Sequence, residues 1–129
     1  MTRYLSDDWF TAAAAALSAD PSLTEASQGV TLGLDYEVTG TPFGKRRYGI
    51  RFDDGTVRLE VPPEGEPDAS FTVDYDTACE IARGALPVQV AFMQGRLKLG
   101  GDVAVLLRSG PALDDLGDAL ARLRDDTEF

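Results

Sequence analysis

Residues 91–102 read AFMQGRLKLGGD and contain a helix end, a short strand and the start of another helix within twelve positions. Gly95 can adopt the left-handed backbone that ends a helix, and Asp102 can cap the helix that follows. Between these two residues, basic side chains alternate with leucines over residues 96–99. This alternation predicts a strand with one solvated face and one buried face.

This order of elements resembles that of the sterol carrier protein 2 family. The resemblance rests on the segment itself and on two positions ahead of it, namely Ala91-Phe92, residues 95–99, Gly101-Asp102, Gly84 and Pro87. It is close over residues 71–107 and covers the whole chain in the order of elements. Members of that family bind and transfer apolar ligands such as sterols, fatty acids and acyl-CoA esters. The resemblance therefore implies a lipid-carrier-like domain.

Composition limits the partners that the chain can have. Its 129 residues fit a single domain, which we expect to span residues 1–129. The net charge is −10, from 22 acidic and 12 basic residues. Such a balance disfavours binding to the phosphates of DNA or RNA, and it repels an anionic membrane surface. We therefore expect no nucleic-acid partner and no stable membrane anchor.

The termini and the single cysteine indicate a cytoplasmic protein. Asp7 and Asp8 interrupt the region where an export signal would need an apolar run. Cys79 is the only cysteine, so an intrachain disulfide is excluded and a reducing compartment is suitable. Residues 125–129 lack a peroxisomal tripeptide of the Ser-Lys-Leu kind. Many alanines and arginines with few lysines suggest a bacterial coding sequence of high GC content.

Hydropathy patterns predict an α+β fold. Ser6 is expected to cap a first helix that ends before Pro21, and a polar bridge follows it. Apolar and polar residues then alternate with a period of two over residues 30–39, 48–52, 57–61, 71–73 and, later, 97–99. Short connections between consecutive strands favour antiparallel pairing. We expect a mainly antiparallel five-stranded sheet with helices packed on one face, as in the sterol carrier family.

The polar face of this sheet carries charges of both signs. A tight turn at residues 53–55 predicts a hairpin that sets Arg51 opposite Arg58, a like-charged pair that would need the neighbouring acids of this face. These acids are Asp35, Glu37 and Glu60. The favoured interpretation is a solvated face of paired charges. A weak site for a phosphate or CoA group is the alternative.

Two short helices in the second half of the chain are unusually apolar. Residues 88–94 form barely two turns and are apolar on most sides, so we expect this helix to be buried on more than one face. Residues 103–107 are also nearly all apolar. The last helix, which Pro111 opens, carries a leucine stripe three and four positions apart.

Catalytic and metal-binding signals are missing. The chain has no histidine, no phosphate-binding glycine loop and no serine elbow. The acids at residues 114–118 are explained by the dipole of the last helix, because adjacent acids on a helix point in different directions. We therefore expect no metal, no cofactor and no enzymatic activity. A small enzyme that uses a carboxylate or Tyr36, Tyr48 or Tyr75 remains an alternative.

The family resemblance implies that the apolar helical surface is a candidate ligand-binding site. Family members enclose an apolar tunnel between the sheet and the helices, with the terminal helix near its mouth. Carried over to this chain, the ligand-binding residues would be Trp9, Phe10, Val90, Met93, Leu97, Leu99, Val103, Leu106, Leu107, Leu116 and Leu120. The sequence thus predicts binding of an apolar small molecule. The alternative is a non-catalytic accessory module whose apolar helices contact an enzyme or a second copy of the chain.

Overall fold

Seven strands and six α-helices make up the chain, and the computed structural model describes all residues 1–129. The strands are β1 (Thr2–Arg3), β2 (Thr31–Thr41), β3 (Gly44–Asp53), β4 (Thr56–Glu60), β5 (Ala69–Asp74), β6 (Leu97–Gly101) and β7 (Thr127–Glu128). The helices are α1 (Asp7–Ala19), α2 (Pro21–Ala26), α3 (Tyr75–Ala82), α4 (Val88–Met93), α5 (Val103–Arg108) and α6 (Gly110–Ala121). A 3-10 turn, Arg124–Asp126, precedes β7.

The main sheet has five strands in the order β4-β3-β2-β5-β6. All neighbours pair antiparallel except β2 and β5, which pair parallel. The turn between β3 and β4 has the two residues Asp54 and Gly55, both with positive φ, as a tight hairpin requires. The predicted α+β class with a mainly antiparallel five-stranded sheet is confirmed.

The connection between β4 and β5 differs from the expected neighbour-to-neighbour path. The chain leaves the edge strand β4, crosses the polar face and returns beside β2. Pro63 lies over Gly49, where an added Cβ would come within 2.9 Å of the proline Cβ. At the far end of the crossing, the Asp68 carboxylate accepts a hydrogen bond of 2.7 Å from the Gly33 amide. The glycine in β3 therefore allows the proline-rich loop to approach the sheet closely.

The helices cover the opposite face of the sheet, as predicted. Helix α1 starts at Ser6, whose hydroxyl accepts from the Trp9 amide at 3.2 Å, and it packs against β4 and α6. The buried residues of α1 are Trp9, Phe10, Ala13 and Leu17. Strand positions on this face supply most of the rest of the core, including Leu32, Leu34, Val38, Ile50, Phe52 and Val57. None of the helices is both long and apolar enough to cross a bilayer.

Two small elements did not follow from the sequence pattern. Helix α2 occupies part of the expected polar bridge, with Asp20 as its cap and Pro21 in its first turn. The terminal strands β1 and β7 pair parallel, so that Thr2 lies opposite Thr127. This pairing brings the two ends of the chain together beside α1.

The expectation that the short helix at residues 88–94 is buried on more than one face is wrong. Only Ala91 of α4 is buried. Val88, Val90, Phe92 and Met93 are exposed, and Met93 retains 83% of its accessible surface. The helix contacts β6 through one narrow side, because small Ala91 is the residue that it turns toward the protein.

Candidate functional site

Helices α4 and α5 are the least buried apolar elements of the molecule. Five of the six residues in each helix are apolar, yet Ala91 is the only buried residue of the two helices together. Helix α4 contacts β6, and α5 contacts β5 and α6, so both lie at the same end of the sheet. A concentration of exposed apolar side chains at one place is typical of a surface that binds a ligand or partner.

The helix-facing side of the sheet offers a row of large side chains beside these helices. Tyr48 pairs with Tyr36, Tyr36 with Phe71, and Phe71 with Leu99, so the row crosses four neighbouring strands. The rings of Tyr36 and Tyr48 stack with centroids 4.8 Å apart, and those of Tyr36 and Phe71 with centroids 4.9 Å apart. Tyr48 is buried, whereas the other three are only partly buried.

Strand register explains why this row is incompletely covered. Helix α3 follows β5 at the end marked by Val73, whereas α5 follows β6 at the end where Gly101 pairs with Ala69. Phe71 lies midway between these two ends of β5. We call the three partly buried residues Tyr36, Phe71 and Leu99 the floor. The floor, with the exposed sides of α4 and α5, forms the candidate site.

Burial makes the surroundings of the tyrosine hydroxyls unfavourable for negative charge. Desolvation raises the pKa of Tyr36 and of Tyr48, and the Tyr48 hydroxyl adds to the shift at Tyr36. Desolvation is also the main cause that raises the pKa of Tyr4 and Tyr75. A tyrosine that acts as a general base needs a lowered pKa. These tyrosines are therefore neutral hydrogen-bonding groups.

The residues that the sequence predicts as ligand contacts fall into three groups. Trp9, Phe10, Leu97 and Leu116 are buried in the core. Leu99, Leu106 and Leu120 are partly buried against it. Val90, Met93, Val103 and Leu107 are exposed on α4 and α5. The structure thus brings Leu99 and the α4 and α5 residues to the candidate site, whereas Leu116 and Leu120 lie on α6, which also packs on α1 and α2.

Two residues of the floor were missing from the predicted site. The sequence predicts Tyr36 as a strand residue and an alternative catalytic group, and Phe71 as a strand residue, but neither as a ligand contact. The signal for Tyr36 was present, because the period of two puts Tyr36 on the same face as Leu34 and Val38. What the pattern does not contain is the parallel pairing that sets Phe71 beside Tyr36.

Two other concave surfaces lie away from the floor. An open groove of about 320 Å³ runs between α1 and β4 and is lined by Asp7, Phe10, Thr11, Ala14, Leu59 and Val61. A second depression of about 370 Å³ is mainly polar and is lined by Ser22, Glu25, Ala26 and Asp115. Of the predicted ligand contacts, only Phe10 borders either one. No group of three or more acidic or cysteine side chains is arranged to hold a metal ion.

The five-stranded sheet, covered by helices on one face and crossed by a proline-rich loop on the other, defines a small α+β domain of known architecture. The chain belongs to the SCP-2 sterol transfer family, whose model matches residues 11–114. This match includes the floor and helices α4 and α5. A search of the curated proteins gives no match.

Solved structures confirm the fold. A conserved hypothetical protein of Thermus thermophilus, suggested to be a sterol carrier protein, is 20% identical, with a TM-score of 0.73 over 95% of this chain and 91% of its own. Sterol carrier protein 2 is 21% identical, with a TM-score of 0.73 over 92% of this chain and 98% of its own. The sec-alkylsulfatase Pisa1 of Pseudomonas sp. is 21% identical, with a TM-score of 0.54 over 73% of this chain and 14% of its own. The same fold therefore occurs alone and as a small part of an enzyme.

Proposed function

We propose that residues 1–129 form one domain that binds an apolar small molecule and carries it in the cytoplasm. The ligand would lie on the floor and be covered by α4 and α5. Ligand classes compatible with such a site are sterols, fatty acids, acyl-CoA esters and isoprenoid-like chains. Membership of the SCP-2 sterol transfer family and the likeness to sterol carrier protein 2 support this function.

The observation that carries the proposal is the exposure of α4 and α5. Ten of the 12 residues in these two helices are apolar and they bury a single side chain, whereas α1, with 13 residues, buries four. Burial of apolar surface stabilises a complex by about 25 cal/mol per Å². A ligand that covers about 400 Å² of such surface would therefore gain roughly 10 kcal/mol, before the cost of association. No catalytic group is needed for this function.

The arrangement of the helices suits entry and exit of a ligand. Each of α4 and α5 has only six residues, and a helix of this length is not stable on its own. Gly95, which follows α4, and Gly101, the last residue of β6, both have positive φ. Because α4 and α5 contribute a single buried side chain, they can move away from the sheet at low cost in free energy.

A second candidate function is that of an accessory module for an enzyme that handles hydrophobic substrates. Met93 and Leu107 are 83% and 82% exposed, which is more than a ligand on the floor alone would explain. The likeness to a small part of the Pisa1 sulfatase supports this alternative. In that case α4 and α5 would contact a partner enzyme or a second copy of the chain.

Native mass spectrometry of the gently purified protein, followed by organic extraction, tests the two functions against each other. The carrier function predicts a monomer with an extractable apolar molecule, or an empty monomer that binds lipid on titration. The accessory function predicts a dimer or a complex with another protein, and no lipid binding. An empty monomer that fails to bind any lipid would refute the carrier function.

A further inference from the structure

Strand β4 forms one edge of the main sheet, and one side of it is free. It pairs only with β3, so every second residue of the strand points its backbone N–H and C=O groups away from the sheet. Apart from the β3–β4 ladder, residues 56–62 make no backbone-to-backbone hydrogen bond. The edge can therefore bond to another extended chain.

An apolar groove lies beside this edge, on the side of the sheet that carries the helices. It has a volume of about 320 Å³ and runs between α1 and β4. Its apolar residues are Phe10, Ala14, Leu59 and Val61, and Val61 is exposed. An extended chain paired with β4 would point every second side chain to this side of the sheet. The groove is thus suited to hold apolar side chains of such a chain.

An incompletely paired arginine lies beside the groove. Arg46 is opposite Val38 on the helix side of the sheet, and its guanidinium lies over the Phe10 ring, 5.0 Å from the centroid. Its Nη2 is 2.6 Å from Asp7 Oδ1, whereas its Nε is buried and has no hydrogen-bond partner. The Asp7 side chain is 92% exposed, so this ion pair contributes little. A carboxylate that replaces Asp7 and bonds to both nitrogens would satisfy the unpaired donor.

The edge strand itself carries a second cation. Arg58 is exposed and forms no ion pair, since neighbouring Glu60 is paired with Arg51. Two copies of β4 (Thr56–Glu60) paired antiparallel over their whole length would set Arg58 opposite Arg58, which is unfavourable. An acidic residue at that position would be favourable. The charges therefore favour a partner of different sequence over a second copy of this chain.

We propose that the edge of β4 is a docking site for an extended acidic segment of another protein, which adds a strand to the sheet. Its apolar side chains would enter the groove, and its carboxylates would pair with Arg46 and Arg58. Backbone hydrogen bonds supply affinity in this kind of interaction, and side-chain pockets supply specificity. Pro62 and Pro63 follow β4 and limit the length of the docked segment. The site is separate from the floor and from α4 and α5, so the inference does not rest on the carrier function.

A short synthetic peptide tests the inference. Fluorescein-labelled Asp-Glu-Val-Glu-Val-Glu-Asp is titrated with the full-length protein in about 0.15 M salt, and its anisotropy is measured. The peptide reads the same in both directions, so it can pair with β4 parallel or antiparallel. Its valines and its central glutamate fall on opposite faces, as the groove and Arg58 require. The control peptide Asp-Glu-Ser-Glu-Ser-Glu-Asp keeps the charges and should bind at least about tenfold more weakly, because it has no apolar side chain for the groove.

Three variants locate the binding. Arg46→Met should weaken peptide binding about tenfold, and Arg58→Glu several-fold. Arg58→Glu retains the fold, because the new carboxylate faces Arg51. Lys98→Glu is the matched control, since it makes the same charge change on β6, the other edge strand, and it should leave binding unchanged.

Several results would overturn the inference. These are no binding of the valine peptide, equal binding of the serine peptide, unchanged binding in both arginine variants, and an equal loss in Lys98→Glu. Displacement of the peptide by hexadecanoate would assign the groove to the carried ligand instead. A dimer of the parent protein that the peptide dissociates would make a second copy the natural occupant. Either of these two outcomes also overturns the inference, and the carrier function would stand in both.

Discussion

Arg51 and Arg58 lie directly opposite each other on the neighbouring strands β3 and β4, although both are positively charged. Arg51 is held by two acids, with Nη2 at 2.8 Å from Asp35 Oδ1 and Nε at 3.3 Å from Glu60 Oε1. It also donates to the carbonyls of Leu34 and, in the crossing loop, Glu64. The Arg51 side chain is only 12% exposed, so the like-charged pair is stabilised by neighbours rather than by solvent alone.

Replacement of Arg51 should therefore destabilise the protein. The variant Arg51→Met leaves Asp35, whose side chain is 15% exposed, without its cation and frees the crossing loop. We expect a loss of about 3 kcal/mol in the free energy of unfolding, measured with urea. Arg58→Met is the matched control, because Arg58 is exposed on the same face, and it should change stability by no more than about 0.5 kcal/mol. Equal losses would show that Arg51 does not anchor the loop.

Substitution of Gly101, at the junction between β6 and α5, should lower the free energy of unfolding. Its φ is +80°, and an added Cβ would lie 2.5 Å from the Asp68 carbonyl oxygen. Gly40 has a similar φ of +70° but nothing within 4 Å of its Cβ position. We expect Gly40→Ala to cost about 1 kcal/mol for the left-handed backbone. Gly101→Ala should cost about 3 kcal/mol, since steric overlap with the backbone adds to that strain. Urea unfolding of both variants separates the two effects, and equal costs would contradict the steric argument.

The interactions that the sequence predicts well are local ones. The two-residue turn at Asp54-Gly55 determines the register of its hairpin, and so the Arg51–Arg58 pair followed from the sequence and is confirmed. Asp102 was predicted to cap α5, and its carboxylate accepts from the Ala104 amide. Pro21 correctly predicts the end of α1. A proline also suits the first turn of a new helix, however, and α2 begins at Pro21.

Long-range pairing could not be predicted in the same way. A proline-rich loop can return a chain to either edge of a sheet, and no local sequence pattern predicts that β5 pairs with β2. The position of Phe71 beside Tyr36 depends on that pairing, and so does the floor. The exposure of Val90 and Met93 also depends on tertiary packing. The sequence of a helix that is apolar on most sides does not show which of those sides face the core and which face solvent.

Acid should destabilise the start of α3 through Asp74. Its carboxylate accepts from the Thr77 hydroxyl at 2.6 Å and the Thr77 amide at 3.3 Å, and the side-chain bond is the main cause of a pKa below the usual 3.8. Because folding lowers this pKa, the stabilisation is complete well above 3.8 and declines as the pH falls toward the lower, folded-state value. Asp74→Asn keeps a good cap, so it should change stability little at neutral pH and reduce the loss of stability in acid.

Urea unfolding across the acid range measures this effect. Asp76→Asn removes a charge from the same turn of α3 without removing the hydrogen bonds between Asp74 and Thr77, so it is the control. We expect the Asp76→Asn variant to keep the acid dependence of the parent. A parent-like acid dependence in Asp74→Asn would mean that another group causes it.

The position of the ligand can be tested by filling the site. Leu106 is partly buried on α5, and Met93 is exposed on α4. If the ligand lies between these helices and the floor, as we propose, a tryptophan at either position competes with it for space. We expect Leu106→Trp and Met93→Trp to weaken binding of a fluorescently labelled fatty acid by about tenfold, or about 1.4 kcal/mol. Val61→Trp is the control, because Val61 is also exposed but borders the groove between α1 and β4. Urea unfolding should show that all three variants retain the fold. If Val61→Trp alone weakens binding, the ligand lies in that groove and not under α4 and α5.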